Sequence, residues 1–282
     1  MRKRKLTPKQ VLGHVTRYAA LLLILVAILG PYIVMAVTSL TPKAELAAAG
    51  ASLIPSALTL DAYFELVTTT PFLNYLGNSF HVALMAVPLT LVCATGAAIA
   101  LSRFEFLGRR QIMTALILAQ MLPAVLLVLS LQGQLNVMGL LDNKFGLALV
   151  HAAFATPFAT WLLKGFLDGI PRELEESGSI DGASTWQIIR LLLMPLLLPG
   201  MVAAGTYAFI LTWNEFLYAL TFTASPATRT LPVGLQLFIG EYQIRWDLLT
   251  AGGVLSVLPV VAGFLLVQRR LVAGLAAGAV KG

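Results

Sequence analysis

Six stretches of this chain run for eighteen residues or more without a single Asp, Glu, Lys or Arg. They are Tyr18–Leu40, Phe80–Leu101, Ile112–Leu131, Gly146–Leu163, Leu191–Asn214 and Leu248–Val267. A helix needs roughly 20 apolar residues to cross the hydrocarbon of a bilayer, so each run has about the length of a membrane span. Charged residues make up only 11% of the chain, where a soluble domain has about 25%. The expected fold class is therefore an all-α membrane protein with six transmembrane helices, near 18–40, 78–101, 110–131, 146–167, 200–220 and 248–268. Together these form one domain, 18–268, flanked by short tails at 1–17 and 269–282.

The first run follows a basic head, MRKRKLTPKQ. A secretory signal has an apolar core of only about 7–15 residues, so this longer run reads as a retained first span. The fifth run exceeds what a bilayer requires and is divided by Pro195, Pro199 and Gly200. The expectation is a helix over Trp186–Leu198 along the membrane surface, with the true span beginning near Gly200.

Charge distribution orients the spans. Of the 19 basic residues, only Lys43, Lys144, Arg229 and Arg245 fall on the side away from the termini. The other fifteen share the side of the termini, which the positive-inside rule makes the cytoplasm. A net charge of +6 would point to nucleic acid in a soluble protein, but here the membrane accounts for it and no nucleic-acid partner is expected. Cys93 is the single cysteine, so neither a disulfide nor a cysteine metal site is available. His14, His81 and His151 are scattered without metal-ligand spacing. An intramembrane hydrolase lacks its G-x-S-x-G signature here, and an ATPase lacks its G-x-x-x-x-G-K-[ST] loop. This chain therefore cannot bind ATP as a P-loop would.

Between the fourth and fifth runs lies a polar insertion, residues 168–199, that cannot rest in hydrocarbon. Pro171 opens a short helix, with Asp168 or Gly169 near its cap, and Glu173, Glu175 and Glu176 sit at the favourable N-terminal end. Arg172 and Glu176 are four apart and can pair. Asp181-Gly182 ends this helix as a turn, and Ser184 can cap the next. The product is a thin helical knuckle on the cytoplasmic side. By this reading alone it could be an ordinary amphipathic loop.

The order of residues in it resembles the EAA loop of ABC importer permeases of the carbohydrate, MalG-like type. Glu176, Asp181, Gly182, Ala183, Pro195 and Pro199 fit that pattern, while Ser177 and Gly178 stand where two alanines are usual and Met194 where leucine is. Further likenesses follow in order: Thr38-Ser39-Leu40, Asn78-Ser79, Leu101-Ser102-Arg103-Phe104, Thr212-Trp213-Asn214-Glu215-Phe216, Thr230-Leu231-Pro232-Val233-Gly234 and the tail Gly274–Gly282.

The resemblance implies a type I ABC importer permease fold. It also implies a non-catalytic subunit working beside a second, MalF-like permease, two ATPase subunits that bind the ATP and magnesium, and an extracytoplasmic solute-binding protein, in contact with membrane lipid. It makes residues 168–199 the coupling loop, with Glu175, Glu176, Ser177, Gly178, Asp181, Gly182 and Ala183 meeting an ATPase. It places Gly278, Ala279, Val280 and Lys281 of the tail against the ATPase pair. The cargo it implies is a di- or oligosaccharide, or within the same machinery a polyol or glycerol phosphate. Trp213, Asn214 and Glu215 stand at the outer end of the fifth span, either as interfacial residues or as ligands along the sugar's path.

Overall fold

A computed structural model describes residues 8–49, 54–240 and 243–279. Apart from one isolated bridge between Ile239 and Ile244, every regular element among them is helical. In chain order they are α1 (Pro8–Ser39), α2 (Lys43–Ala49), α3 (Asp61–Thr69), α4 (Phe72–Arg103), α5 (Arg109–Ala119), α6 (Ala124–Val137), α7 (Lys144–Asp168), α8 (Glu173–Ile180), α9 (Thr185–Gln187), a π-helical stretch (Ile188–Leu193), α10 (Met194–Asn214), α11 (Leu217–Phe222), α12 (Leu231–Gln236) and α13 (Trp246–Ala279).

Five of these helical segments are long and apolar enough to cross a membrane. A sixth crossing exists only if α5 and α6, bent by 100° at their junction, count together. Where a single third span is expected, over 110–131, the helix is thus broken. Pro123 stands immediately before α6 in an extended conformation, φ −62 and ψ 125. Proline has no N–H to give and pushes the residue before it out of helical geometry, which accounts for the break.

The fifth span departs from expectation in the other direction. No helix boundary falls near Gly200: the helix runs unbroken from Thr185 to Asn214 through Pro195, Pro199 and Gly200. The π-helical stretch accommodates the first of these prolines. Met194 N–H donates to the carbonyl of Ile189, five residues back, so the turn ahead of Pro195 is already widened. A proline ring is most easily accommodated where the preceding turn is not tightly closed. Nor does the span reach 220: it ends at Asn214, and α11 is a separate short helix.

The chain divides into two compact units, residues 1–70 with 235–257, and residues 71–234 with 258–282. In the first, Arg245 Nη2 bridges Glu65 Oε1 at 2.7 Å and Asp247 Oδ2 at 2.8 Å, and Ser39 Oγ lies 2.7 Å from the Tyr63 hydroxyl. Gly253 approaches α1 so closely that a Cβ there would lie 2.8 Å from Met35 Sδ. The apolar side chains of α1 from Leu21 to Leu25 are exposed, as suits a helix bathed in lipid.

In the second unit α4 packs against α7 and α10, which also pack on each other. Small side chains make the contact: Ala94 and Ala98 of α4, Ala155 and Ala159 of α7, and Ala204 and Ala208 of α10 are all fully buried. Each pair is four apart, so each forms a strip along one helix face, and small residues let helix backbones approach in lipid. Gly96, by contrast, faces outward with nothing near its missing Cβ. Gly200 does meet a neighbour, since a Cβ there would lie 2.8 Å from the Phe166 ring.

Candidate functional site

The polar insertion folds as a helix, a turn and a second helix, but its edges differ from expectation. Asp168 closes α7 and Gly169 follows it, so neither caps α8. Helix α8 begins at Glu173, two residues after Pro171, with three carboxylates in its first turn. Negative charge there complements the unpaired N–H groups and the helix dipole. At its other end Ala183 N–H donates to the Gly178 carbonyl and Gly182 N–H to that of Ser179. Gly182 itself has φ +82, a left-handed conformation that closes a helix and that β-carbon-bearing residues adopt at a cost.

Ser184 then starts the next helix. Its hydroxyl accepts from Gln187 N–H at 3.4 Å, and the Gln187 carboxamide accepts from Ser184 N–H at 2.7 Å, a reciprocal capping box. Behind the knuckle, Ile188 and Leu193 join the buried cluster of Ala159, Leu163, Leu167 and Leu197. Gly178 faces this anchor: a Cβ there would sit 3.5 Å from Ile188 Cγ1, ordinary contact distance. The outer surface is different. Ile180 is 86% exposed and Trp186 68% exposed, flanking the turn on a segment otherwise rich in carboxylates.

The side of α8 that meets the rest of the unit is ionic. Arg103, the last residue of α4, places Nε 2.6 Å from Glu175 Oε1, and its own side chain is only 8% exposed. The N–H does not point along that line, so the attraction is chiefly Coulombic. Arg103 Nη2 also donates to the Ile170 carbonyl at 3.1 Å, and Nη1 to Ser102 Oγ at 3.1 Å. Ser102 Oγ in turn donates to Asp168 Oδ1 at 2.7 Å, while the Ser102 carbonyl accepts from Arg172 at 3.2 Å and Arg109 at 3.5 Å. The expected Arg172–Glu176 pair is therefore replaced: Arg172 turns to Ser102, and Glu176 is exposed without an ion pair among the described residues. Sequence reasoning considered only the i,i+4 partner and missed Arg103, which lies on another helix.

At the opposite end of α10, Trp213 is buried between Phe80 and Phe209, at 4.9 Å and 5.4 Å between ring centroids. Asn214 is exposed and its amide donates back to the Ile210 carbonyl at 2.9 Å. Glu215 accepts the backbone N–H groups of Tyr218 at 2.8 Å and Ala219 at 3.0 Å, capping α11, and its Oε2 lies 3.2 Å from Nε2 of the buried His151. Both carboxylate oxygens are thus occupied by the protein, an occupation the residues around Glu215 in sequence do not reveal. Gly278 and Ala279 form the end of helix α13, while Val280 and Lys281 lie outside the described residues. An apolar groove of about 710 Å³ is lined by Phe80 and Leu91 of α4, residues of α10 including Thr206 and Phe209, and Pro259, Val261 and Phe264 among residues of α13. Among the described residues no three His, Cys, Asp or Glu side chains cluster closely enough to hold a metal ion.

Comparison with known proteins bears on this arrangement. The family model described as "Binding-protein-dependent transport system inner membrane component" matches residues 86–276, a stretch that contains the whole knuckle and its anchor. The sulfoquinovosyl glycerol transport system permease protein SmoH of Agrobacterium fabrum is 36% identical over 270 residues, 96% of this chain and 95% of its own length. The trehalose transport system permease protein SugB of Mycobacterium tuberculosis is 36% identical over 251 residues, 88% of this chain and 92% of its own. Among solved structures, a bacterial ABC transporter involved in import of the acidic polysaccharide alginate superposes with a TM-score of 0.80 at 20% identity. That match covers 95% of this chain and 99% of the other, and supports the fold. With the family model covering well over half of its length, the chain belongs to the binding-protein-dependent transport system inner membrane components, the non-catalytic permease subunits of ABC importers.

Proposed function

We propose that this chain is one of two different permease subunits of an importer that carries a sugar, delivered by a solute-binding protein, across a prokaryotic inner membrane. The observation that carries the mechanism is the pair of exposed apolar side chains, Ile180 and Trp186, either side of the Gly182 turn. A water-facing turn that keeps an isoleucine and a tryptophan in solvent is a docking surface, since burying them against a partner is worth roughly 1.5–3 kcal/mol for each side chain. The partner is an ATPase subunit, which this chain needs because it has no phosphate-binding loop of its own. In this reading α8 is the coupling helix, residues Glu176 to Ala183 meet the ATPase cleft while Glu175 is turned inward on Arg103, and the carboxylate of Glu176 is the outward charge. The α5–α6 pair is the third of six spans, both termini are cytoplasmic, and Gly278–Lys281 reach the ATPase pair.

ATP-driven closure of two ATPases would draw this knuckle toward that of the second permease, switching the pathway between two discrete arrangements. The apolar groove between α4, α10 and α13 has no basic side chain in its lining to neutralise a phosphate, which favours a sugar over glycerol phosphate. The names of the relatives favour glycosides and oligosaccharides as cargo. Glu215 in this reading is a fastener at the outer end of the fifth span.

The test is co-expression with the neighbouring transport genes. Gly182→Trp places an indole at an open position on the docking surface. It is expected to abolish copurification of the ATPase subunits while the permease still inserts in membranes. Retained copurification together with unchanged transport would show that the knuckle is not the docking point. Uptake assayed with a panel of disaccharides, oligosaccharides, polyols and glycerol phosphate decides the cargo class.

A further inference from the structure

Only four residues, 169–172, join the end of α7 to the start of α8. A helix hung on so short a link could still swing about it, since a coupling element must resist displacement in more than one direction. What resists it here comes from elsewhere in the chain. Arg103 belongs to the last turn of α4, where a cation complements the C-terminal carbonyls. It reaches both the link, at the Ile170 carbonyl, and α8 itself, at Glu175. It is the sole residue among the described ones that contacts both by charge or hydrogen bond. The Ser102 carbonyl beside it collects Arg109 and Arg172, and the Ser102 hydroxyl holds Asp168 at the end of α7. Thus the starts of α5 and α8 and the end of α7 all converge on one turn of α4.

Helix α4 is also held at its other end. Asn78 Nδ2 donates to the carbonyls of Arg229 at 2.9 Å and Pro226 at 3.2 Å, and Ser79 Oγ accepts the N–H of Leu231 at 2.8 Å. It therefore runs, packed on α7 and α10, from the anchor of α8 to the loop between α11 and α12.

We propose that Arg103 is the positioning residue of the coupling helix: through Glu175 and the Ile170 carbonyl it makes α8 move with α4, so that a displacement of the docking surface is delivered to the transmembrane helices instead of being absorbed in the 169–172 link. The proposal rests on α8 being the coupling helix. Removing the guanidinium leaves a carboxylate facing a largely buried surface and cuts the link's cross-tie. The docking face itself, with Ile180, Trp186 and the Gly182 turn, points elsewhere and stays intact. The residue acts on transmission and leaves docking untouched.

The experiment uses the whole transporter, reconstituted in liposomes with its ATPase subunits and binding protein, and compares wild type with Arg103→Gln, Arg103→Lys and Glu175→Gln. Three quantities are read: ATPase subunits copurified, ATP hydrolysed, and solute taken up per ATP. Arg103→Gln is expected to copurify ATPase subunits as wild type does, yet carry about tenfold less solute per ATP, within the range of ordinary coupling energies. Arg103→Lys, which keeps the charge but not the fork, should fall between. Glu175→Gln should show the same split, and it answers the question if Arg103→Gln does not fold. Unchanged solute per ATP in a folded Arg103→Gln or Glu175→Gln transporter overturns the proposal. So does loss of ATPase subunits in proportion to loss of uptake, since that would make the residue part of docking. If wild type itself recruits no ATPase subunits, the assignment of α8 falls, and this inference with it.

Discussion

His151 on α7 and Glu215 after α10 stand 3.2 Å apart although 64 residues separate them, with the imidazole almost wholly enclosed. The same carboxylate caps α11, so one side chain joins three helices at a place where the chain leaves α10 and turns. Glu215→Ala removes the partner of a buried ring and two backbone hydrogen bonds together. A single buried group left unpaired costs about 1–3 kcal/mol. The purified protein in detergent should melt well below wild type. Glu215→Gln, whose carbonyl can still accept from Tyr218 and whose amide can still reach the ring, should lose less. Equal losses for the two variants would mean that the pairing contributes nothing beyond packing.

Gly200 offers a separate test of packing. A Cβ at this position meets the Phe166 ring at 2.8 Å, within a region where α10 and α7 already touch. Gly200→Ala is expected to destabilise despite alanine's better helix propensity, because overpacking costs about 1–3 kcal/mol against a propensity gain of at most 1. Phe166→Leu in the same chain should recover part of the loss. A Gly200→Ala protein that melts higher than wild type would show that the ring yields freely.

The capping box predicts an effect confined to the knuckle. Ser184→Ala removes the acceptor for Gln187 N–H, a loss of about 1 kcal/mol for a helix start. Because α9 continues without interruption into the π stretch and α10, global melting should change little. Faster amide hydrogen exchange over residues 184–188, measured against wild type, is the expected signature.

Acid stability has a defined contributor at Asp142, in the link between α6 and α7. Burial works against its charged form, but hydrogen bonds from the Thr228 hydroxyl and the backbone N–H groups of Ala224 and Ser225 outweigh it and hold the carboxyl at about 2, below the ordinary aspartate value. With the folded value the lower one, the stabilisation is complete above about pH 4 and disappears as pH falls through 2. Asp142 also has φ +50, a left-handed conformation that Asn tolerates nearly as well. Asp142→Asn should therefore fold, and should lose less stability than wild type between pH 4 and pH 2. Parallel pH profiles for the two proteins would assign the acid sensitivity to other carboxylates.

Much of the architecture was legible as periodicity and composition. The apolar runs over 80–101 and 146–163 lie inside α4 and α7, that over 18–40 lies inside α1 except for Leu40, and Ser184 caps a helix as its residue type suggests. Local signals misled where two of them competed. Pro123 breaks its helix, whereas Pro195, which follows the widened turn at 188–193, does not, and Pro31, Pro88, Pro157, Pro199 and Pro259 also stand inside helices. No single-residue propensity encodes that outcome. The pairings at the two ends of the second unit were hidden for another reason. Arg103 and Glu175 are 72 positions apart, and His151 and Glu215 are 64 apart. Each partner looked unremarkable beside its own neighbours. Spacing rules see along a helix, and these contacts form only after α4, α7 and α10 have packed.

The π-helical stretch at Ile188–Leu193 has a bearing on how the knuckle is aimed. A widened turn of this kind holds one residue more than the regular helix, and successive residues are about 100° apart around the axis. The helix from Thr185 to Asn214 is thus two regular segments out of phase with each other, and the phase sets the direction in which Trp186 faces relative to the buried strip of Ala204 and Ala208. Taking out Leu191, whose side chain is exposed, would let the helix wind regularly and would swing Trp186, and the buried Ile188 with it, through roughly that angle. One surplus residue therefore acts as a compass setting for the exposed face that carries Trp186.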